Sequence, residues 1–407
     1  MYALGLQFFT FQFKLFANNA TRFGAPGNRT PHFIFMNKLQ RIFNYYFFPP
    51  NFKKFWKENR NNKNIHPELK NITDIFITSE SFNLVSKFWE YLNIKNFKQI
   101  INEGGIENYA NTIARNYFTY LHVDNYLISK TLDLVSDENF KIEGQIFKKH
   151  QSLDYDESFR YNALTLLLYA NIKKLNLLNK LNQISDIGFC GFNDSYLVID
   201  NVKVTTDKLI SLLDYENILN SIPEKKFNIV LEIGAGSGRL SDIFMTFNKD
   251  CKYIVCDIPP AIFISYTRLK KVFKNKKIKI LVDIDNTDKM EKSIIENDVL
   301  FIFPKQLSII KNLSLDLIIA IDCIHEMDKF VIKYYFNEID KLSKFFYFSV
   351  WDKTIVPFSA PLKSKMNRLH FEENDYPILN NWKMIYKNNL IFPSNYISSA
   401  YKIIDVD

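Results

Sequence analysis

Residues 230–240 read VLEIGAGSGRL. The apolar β-formers Ile229, Val230, Leu231 and Ile233 surround one acid, Glu232, and the run then breaks into Gly234-Ala235-Gly236-Ser237-Gly238. Leu240, Ile243, Phe244 and Phe247 follow at helical spacing. The stretch predicts a strand, a glycine turn and a helix. That order constrains the fold more than any other feature of the chain. In an open parallel sheet, ligands sit beyond the carboxyl ends of the strands, and this turn lies at such an end. Glycines there permit positive φ and a close approach of backbone to ligand.

The rhythm continues downstream. Strands are predicted at IVLEI (229–233), YIVCD (253–257), VLFIF (299–303), DLIIAI (316–321) and FFYFSV (345–350), with helical patterns between several of them. Strands that are apolar throughout and separated by helices imply a parallel sheet covered on both faces. Upstream, residues 80–185 read as helices: Phe82, Val85, Trp89 and Leu92 fall at helical spacing, as do Leu164, Leu168, Ile172 and Leu175. Two glycines and the β-like YLVI and VKV in 186–204 suggest a hairpin or connecting arm, and 206–222 reads as a helix behind a threonine cap. The Asn- and Lys-rich stretch near 51–72 reads as a linker or exposed arm. Residues 1–36, whose TRFGAPGNRTP (21–31) differs in composition from the rest, read as a leader outside the fold. The expected architecture is therefore α/β: a mainly helical N-terminal domain (37–200), then a doubly wound, mostly parallel Rossmann-like domain (201–407).

Composition bounds the partners. A net charge of +8 from 52 basic and 44 acidic residues is a mild bias over 407 positions, whereas nucleic-acid binders concentrate Lys and Arg on one face. No nucleic-acid partner is expected. The four cysteines form no CxxC pair, so neither a disulfide framework nor a zinc site is indicated, and a reducing cytoplasm is the default location. No run of about 20 apolar residues is present, and no membrane span is predicted. The 38 phenylalanines follow a general AT-rich-like bias that also raises Asn, Lys and Ile, so they are not read as a stacking surface.

Two ligand classes compete for the turn. A dinucleotide fold wants G-x-G-x-x-G, whose third glycine would fall at Arg239. Glu232, near the end of its strand, favours a cationic ligand and repels a pyrophosphate. S-adenosylmethionine has no phosphate and carries an ammonium and a sulfonium. YIVCD ends in Asp257, 19 residues after Gly238, and an acid there can accept both ribose hydroxyls. The E-x-G-x-G-x-G string resembles the first motif of class I S-adenosylmethionine-dependent methyltransferases. The expected cofactor is S-adenosylmethionine, held by Glu232, Gly234, Gly236, Gly238 and Asp257, and a dehydrogenase is the weakest rival.

A third element is LDLIIAIDCIHEM (315–327), in which a strand ends at Asp322 and His325 and Glu326 follow. Transfer to a hydroxyl benefits from a general base, and an unperturbed histidine has a suitable pKa of about 6.5. His325 is the first candidate, with Glu326 or Asp322 orienting it or acting instead; the competing reading has His325 capping the next helix or packing against the cofactor. EIGAGSGRL, DIPP (257–260), FPKQ (303–306) and DCIHEM (322–327) together resemble the putative sugar O-methyltransferase family over roughly 200–350. The chain departs from that family in the turn before Glu326-Met327, where Asp322, Cys323 and His325 stand. The resemblance implies a sugar hydroxyl of a glycan or nucleotide-sugar as acceptor. A methyltransferase acting on nucleic acid or protein, or a cofactor-binding protein without catalysis, are the alternatives. Asp283 and Asp285 as adenine contacts, Tyr215 as a cofactor cover, and Trp351, Asp352 and the basic 361–371 as acceptor contacts are weaker candidates. No metal site is expected.

Overall fold

The computed structural model describes residues 51–106, 125–135, 144–150, 153–187, 196–281, 283–355, 370–372, 375–390 and 396–404. The expected leader at 1–36 and most of the basic 361–371 lie outside them. The described residues belong to one compact unit.

The first elements are helices α1 (Phe52–Asn59), α2 (Pro67–Thr78), α3 (Lys87–Asn102), α4 (Asn125–Val135), α5 (Tyr155–Lys174) and α6 (Leu178–Leu181). The 51–72 stretch is thus not a linker. Phe52, Trp56 and Leu69 are buried, because the apolar residues of these two helices fall at helical spacing on the face toward the core. The spacing of Phe82, Val85, Trp89 and Leu92 does not reflect one helix. A 3-10 turn covers Glu80–Leu84, and Ser86 caps α3 by accepting from the Trp89 amide. Asp154 and Glu157 close a capping box on α5, which carries Leu164, Leu168 and Ile172 in its core-facing stripe.

The 186–204 region contains the hairpin β1 (Leu197–Ile199) and β2 (Val202–Val204), joined by Asp200 and Asn201 at φ 49° and 63°. Helix α7 (Thr206–Ser221) begins at the Thr205 cap. The sheet then alternates with helices: β3 (Ile229–Ile233), α8 (Arg239–Phe247), β4 (Lys252–Cys256), α9 (Ala261–Val272), β5 (Ile278–Ile280), α10 (Thr287–Glu296), β6 (Val299–Ile302), β7 (Leu317–Ile321), α11 (Lys329–Leu342) and β8 (Phe345–Trp351). Short strands β9 (Lys353–Ile355) and β10 (His370–Glu372) pair with each other, and β11 (Trp382–Leu390) and β12 (Tyr396–Ile403) complete the main sheet.

The sheet order is β11-β12-β8-β7-β3-β4-β6-β5. Pairing is parallel from β5 across to β8, whereas β12 runs antiparallel to both β8 and β11. Alternate residues feed two cores. Val230, Tyr253, Val255, Phe301 and Ile319 join α7–α9 and the N-terminal helices on one face, while Leu231, Ile254, Leu300 and Ile318 join α10 and α11 on the other. The doubly wound, mostly parallel Rossmann-like sheet after a helical region is the expected fold. The antiparallel β12–β11 extension and the short β5 are additions that the sequence pattern did not reveal.

Candidate active site

At the carboxyl end of β3 the chain turns through Gly234, Gly236 and Gly238, all left-handed at φ 71°, 58° and 74°. A side chain at Gly234 would put a Cβ 2.6 Å from that of Cys323, and one at Gly238 would lie 2.9 Å from the Ser265 Cβ. Glycine is therefore required at both positions by backbone conformation and by close packing. The third glycine caps α8, so the turn ends in a helix N-terminus.

Asp257 stands just past β4 and faces this turn. Its Oδ2 accepts from the Gly236 amide at 2.8 Å and its Oδ1 from the Ile258 amide at 2.7 Å. Burial pushes its carboxyl up to about 7, against the pull of these two amides. Glu232 is buried one strand away. Its Oε2 accepts from the Ser241 hydroxyl at 2.5 Å and the Tyr253 hydroxyl at 2.9 Å, and burial raises its carboxyl above the usual range. Glu232, Gly234, Gly236 and Asp257 line one pocket. Gly238 holds the turn from behind.

Two arginines that the glycine pattern did not flag fix the turn from below. Arg239 reaches α7, donating to Asp214 Oδ2 at 2.7 Å and Ser211 Oγ at 3.1 Å. Arg268, on α9, donates to the Ser237 carbonyl at 3.3 Å and pairs with Asp242 at 3.4 Å. The residue that breaks the dinucleotide spacing is thus a buried anchor between α8 and α7.

The opposite wall of the pocket comes from the loop after β7. Asp322 follows the strand at φ 58°, a strained value for a residue with a side chain. Its amide donates to the Ser349 carbonyl, and its Oδ1 accepts from the Tyr396 hydroxyl. Oδ2 is buried and meets no donor among the described residues. Burial pushes the carboxyl up to about 7. His325 Nε2 is 3.5 Å from Asp322 Oδ1 without a hydrogen bond. The imidazole is 1 % exposed, stacked on Trp351 at 5.0 Å, and burial lowers its pKa to about 3. Glu326 is buried, bonded to Trp89, and held well above the usual carboxylate range by burial and the nearby Asp322.

Of the three catalytic candidates, Asp322 lines the pocket, whereas His325 and Glu326 stand behind it. Leu84, Val85, Ser86 and Trp89 bring the N-terminal helices to the pocket rim. Asp283, Asp285 and Asp352 are exposed and outside the lining; Tyr215 is a core residue against Phe244 and Phe247; Trp351 covers His325. Tyr396, 74 residues from Asp322, carried no local signal, because only the sheet order brings it there. Among the described residues, no group of three or more His, Cys, Asp or Glu is placed to hold a metal, and no helix is long and apolar enough to cross a membrane.

No family model and no curated protein matches the chain. Among solved structures, the magnesium protoporphyrin IX methyltransferase of Synechocystis PCC 6803 with bound SAH is 12% identical, with 72% of this chain and 99% of that chain covered at a TM-score of 0.33. An S-adenosylmethionine-dependent methyltransferase from Clostridium acetobutylicum ATCC 824 is 13% identical, with 48% and 91% covered at 0.30. The mitomycin 7-O-methyltransferase is 10% identical, with 48% and 56% covered at 0.31. All three are methyltransferases by description, but the identities are low and the superpositions loose. The chemistry of this chain is therefore read from its own residues.

Proposed function

We propose that the chain is an S-adenosylmethionine-dependent O-methyltransferase whose acceptor is a sugar hydroxyl. One observation carries the cofactor reading: a left-handed three-glycine turn lies between two buried carboxylates, Glu232 and Asp257, in one pocket. Two buried acids favour a cationic, phosphate-free ligand and oppose a pyrophosphate. Asp257, already accepting two amides, offers its remaining lone pairs to ribose hydroxyls. Glu232 lies on the β3 side, where an ammonium offsets its buried charge. The resemblance of EIGAGSGRL, DIPP and DCIHEM to sugar O-methyltransferases supports the acceptor class.

Bound in this pocket, S-adenosylmethionine supplies an electrophilic methyl on a sulfonium. The chain contributes position and a proton acceptor. Asp322 is the base this reading prefers, since it lines the pocket, keeps one oxygen without a donor, and has a carboxyl near pH 7. His325, neutral and packed under Trp351, supports it from behind. Trp89 and the 3-10 turn before α3 form the wall against which an acceptor is selected.

Titration calorimetry with S-adenosylhomocysteine and with NADH tests the cofactor. Binding of the first and not the second is expected, and Gly236→Val should abolish it without unfolding the protein. Binding of NADH alone overturns the reading. Labelled S-adenosylmethionine incubated with glycan and nucleotide-sugar extracts then tests the acceptor, and label found only in protein or nucleic acid refutes the sugar assignment.

A further inference from the structure

Asp322 is held by more than its own loop. Its backbone amide is tied to the Ser349 carbonyl of β8, and its Oδ1 to the Tyr396 hydroxyl at the start of β12. Tyr396 is 3 % exposed, and its register partner on β8 is Trp351. Its ring lies edge-on to His325 at 5.7 Å and to Trp351 at 6.0 Å. These contacts leave the phenol little freedom to turn away. The same carboxylate keeps Oδ2 buried and without a donor among the described residues.

We propose that Tyr396 is a positioning residue for proton removal: its hydroxyl clamps one oxygen of Asp322 and so fixes the orientation of the carboxylate that takes the proton of the acceptor hydroxyl. The inference rests on the methyl-transfer reading above. In that step the acceptor O–H bond breaks and its proton passes to the Asp322 carboxylate. The freed oxygen pair forms the O–CH3 bond as the S–CH3 pair leaves with sulfur, giving a neutral thioether. Asp322 later returns the proton to solvent. An unclamped carboxylate would present either oxygen, at varying angles, and lose the alignment that proton transfer needs.

Several other groups face Asp322. His325, Cys323 and Glu326 share its loop; Arg239 on α8 and Asp214 on α7 act on it through space, and Glu232 and Asp257 share its pocket. Arg239 is engaged by Asp214 at 2.7 Å. Among the described residues, Tyr396 is the side chain that donates directly to the carboxylate.

The test follows the protonated Asp322 acid by its infrared carbonyl band, isolated by subtracting Asp322→Asn, as pH is varied in the full chain. In Tyr396→Phe the ionised form loses a charge-assisted hydrogen bond, so the titration midpoint should rise by about one to two pH units. Fluorotyrosine incorporated at position 396, a stronger donor of the same shape, should lower it, and this holds the test if the phenylalanine variant does not fold. A midpoint that stays in place, or that moves oppositely in either protein, overturns the clamp. Calorimetry of the wild type with S-adenosylhomocysteine separates the two ideas. A moving midpoint without binding sinks the methyl-transfer reading alone, and binding with a fixed midpoint sinks the role of Tyr396 alone.

Discussion

Replacing Asp322 by Asn should gain stability relative to wild type as pH rises, while removing activity. The folded-state carboxyl sits at about 7 against an ordinary 3.8, chiefly because it is buried, with Tyr396 and Arg239 pulling it down and Asp214 pushing it up. The folded chain therefore holds this proton more tightly than the unfolded chain does. The stability this contributes is complete below the ordinary value and is lost as pH rises toward 7. At about 1.4 kcal/mol per pH unit, the two units or so between pH 5 and about 7 remove roughly 3 kcal/mol, and little more is lost by pH 8.5. Asparagine is neutral throughout, tolerates left-handed backbone, and keeps an oxygen for Tyr396. Its amide group adds a cost that does not vary with pH. At about 2.1 cal/mol/K per residue, unfolding a chain of this length gains roughly 0.8 kcal/mol/K of entropy, so 3 kcal/mol is about 4 °C in Tm. The difference in Tm between Asp322→Asn and wild type should grow by about that much from pH 5 to pH 8.5, measured by calorimetric or fluorescence melting. Turnover should fall about 10²–10⁴-fold. A Tm difference that does not change with pH would mean that Asp322 is not a buried, proton-retaining acid, and the base assignment would lose its support.

Asp257→Ala should weaken S-adenosylhomocysteine binding by roughly ten- to a hundred-fold, since bonds to a charged acceptor are worth about 1.5–3 kcal/mol; a loss under about threefold by calorimetry places the ribose elsewhere. Wild-type affinity should also strengthen from pH 6 to pH 8, because the carboxylate that accepts the hydroxyls forms as pH passes about 7; a flat profile counts against that contact. Gly234→Ala forces a Cβ to 2.6 Å from that of Cys323 at φ 71°, and should lower Tm by several degrees, with Cys323→Gly recovering part of the loss. Arg239→Gln strands the buried Asp214 carboxylate and should cost about 3–5 kcal/mol in chemical denaturation, and adding Asp214→Asn should restore much of it.

What was legible in the sequence was what repeats locally. IVLEI matches β3 at both ends because apolar β-formers meet a glycine that no strand tolerates well, and Thr205 and Pro223 bound the next helix upstream. Asp257 was legible because a strand end and an acid coincide. The 51–72 stretch misled because lysines and asparagines dominate the count, while burial is decided by a few apolar residues, Phe52, Trp56, Ile65, Leu69 and Ile72. Strand β11 was illegible because WKMIYKNNL interrupts its apolar residues with Lys383, Lys387, Asn388 and Asn389 and is half exposed, and an edge strand needs only its neighbour's backbone to form.

The division of labour among Asp322, His325 and Glu326 was beyond the sequence for a different reason. All three residues stand within five positions, and each type serves as a base in some protein. Their roles depend on which of them meets the pocket and which donors each meets, and both are set by distant chain. Trp89, from the helices before the sheet, takes Glu326; Trp351, ending β8, covers His325; Tyr396, starting β12, takes one oxygen of Asp322. Burial then acts oppositely on the two kinds of group, lowering the imidazole to about 3 and raising the Asp322 acid to about 7. An ordinary histidine titrates nearer neutrality than an ordinary aspartate, and here that order is reversed. On the methyl-transfer reading, the group best matched to taking a proton at neutral pH is therefore the carboxylate that lines the pocket, whereas the histidine the motif brings forward first does not line it.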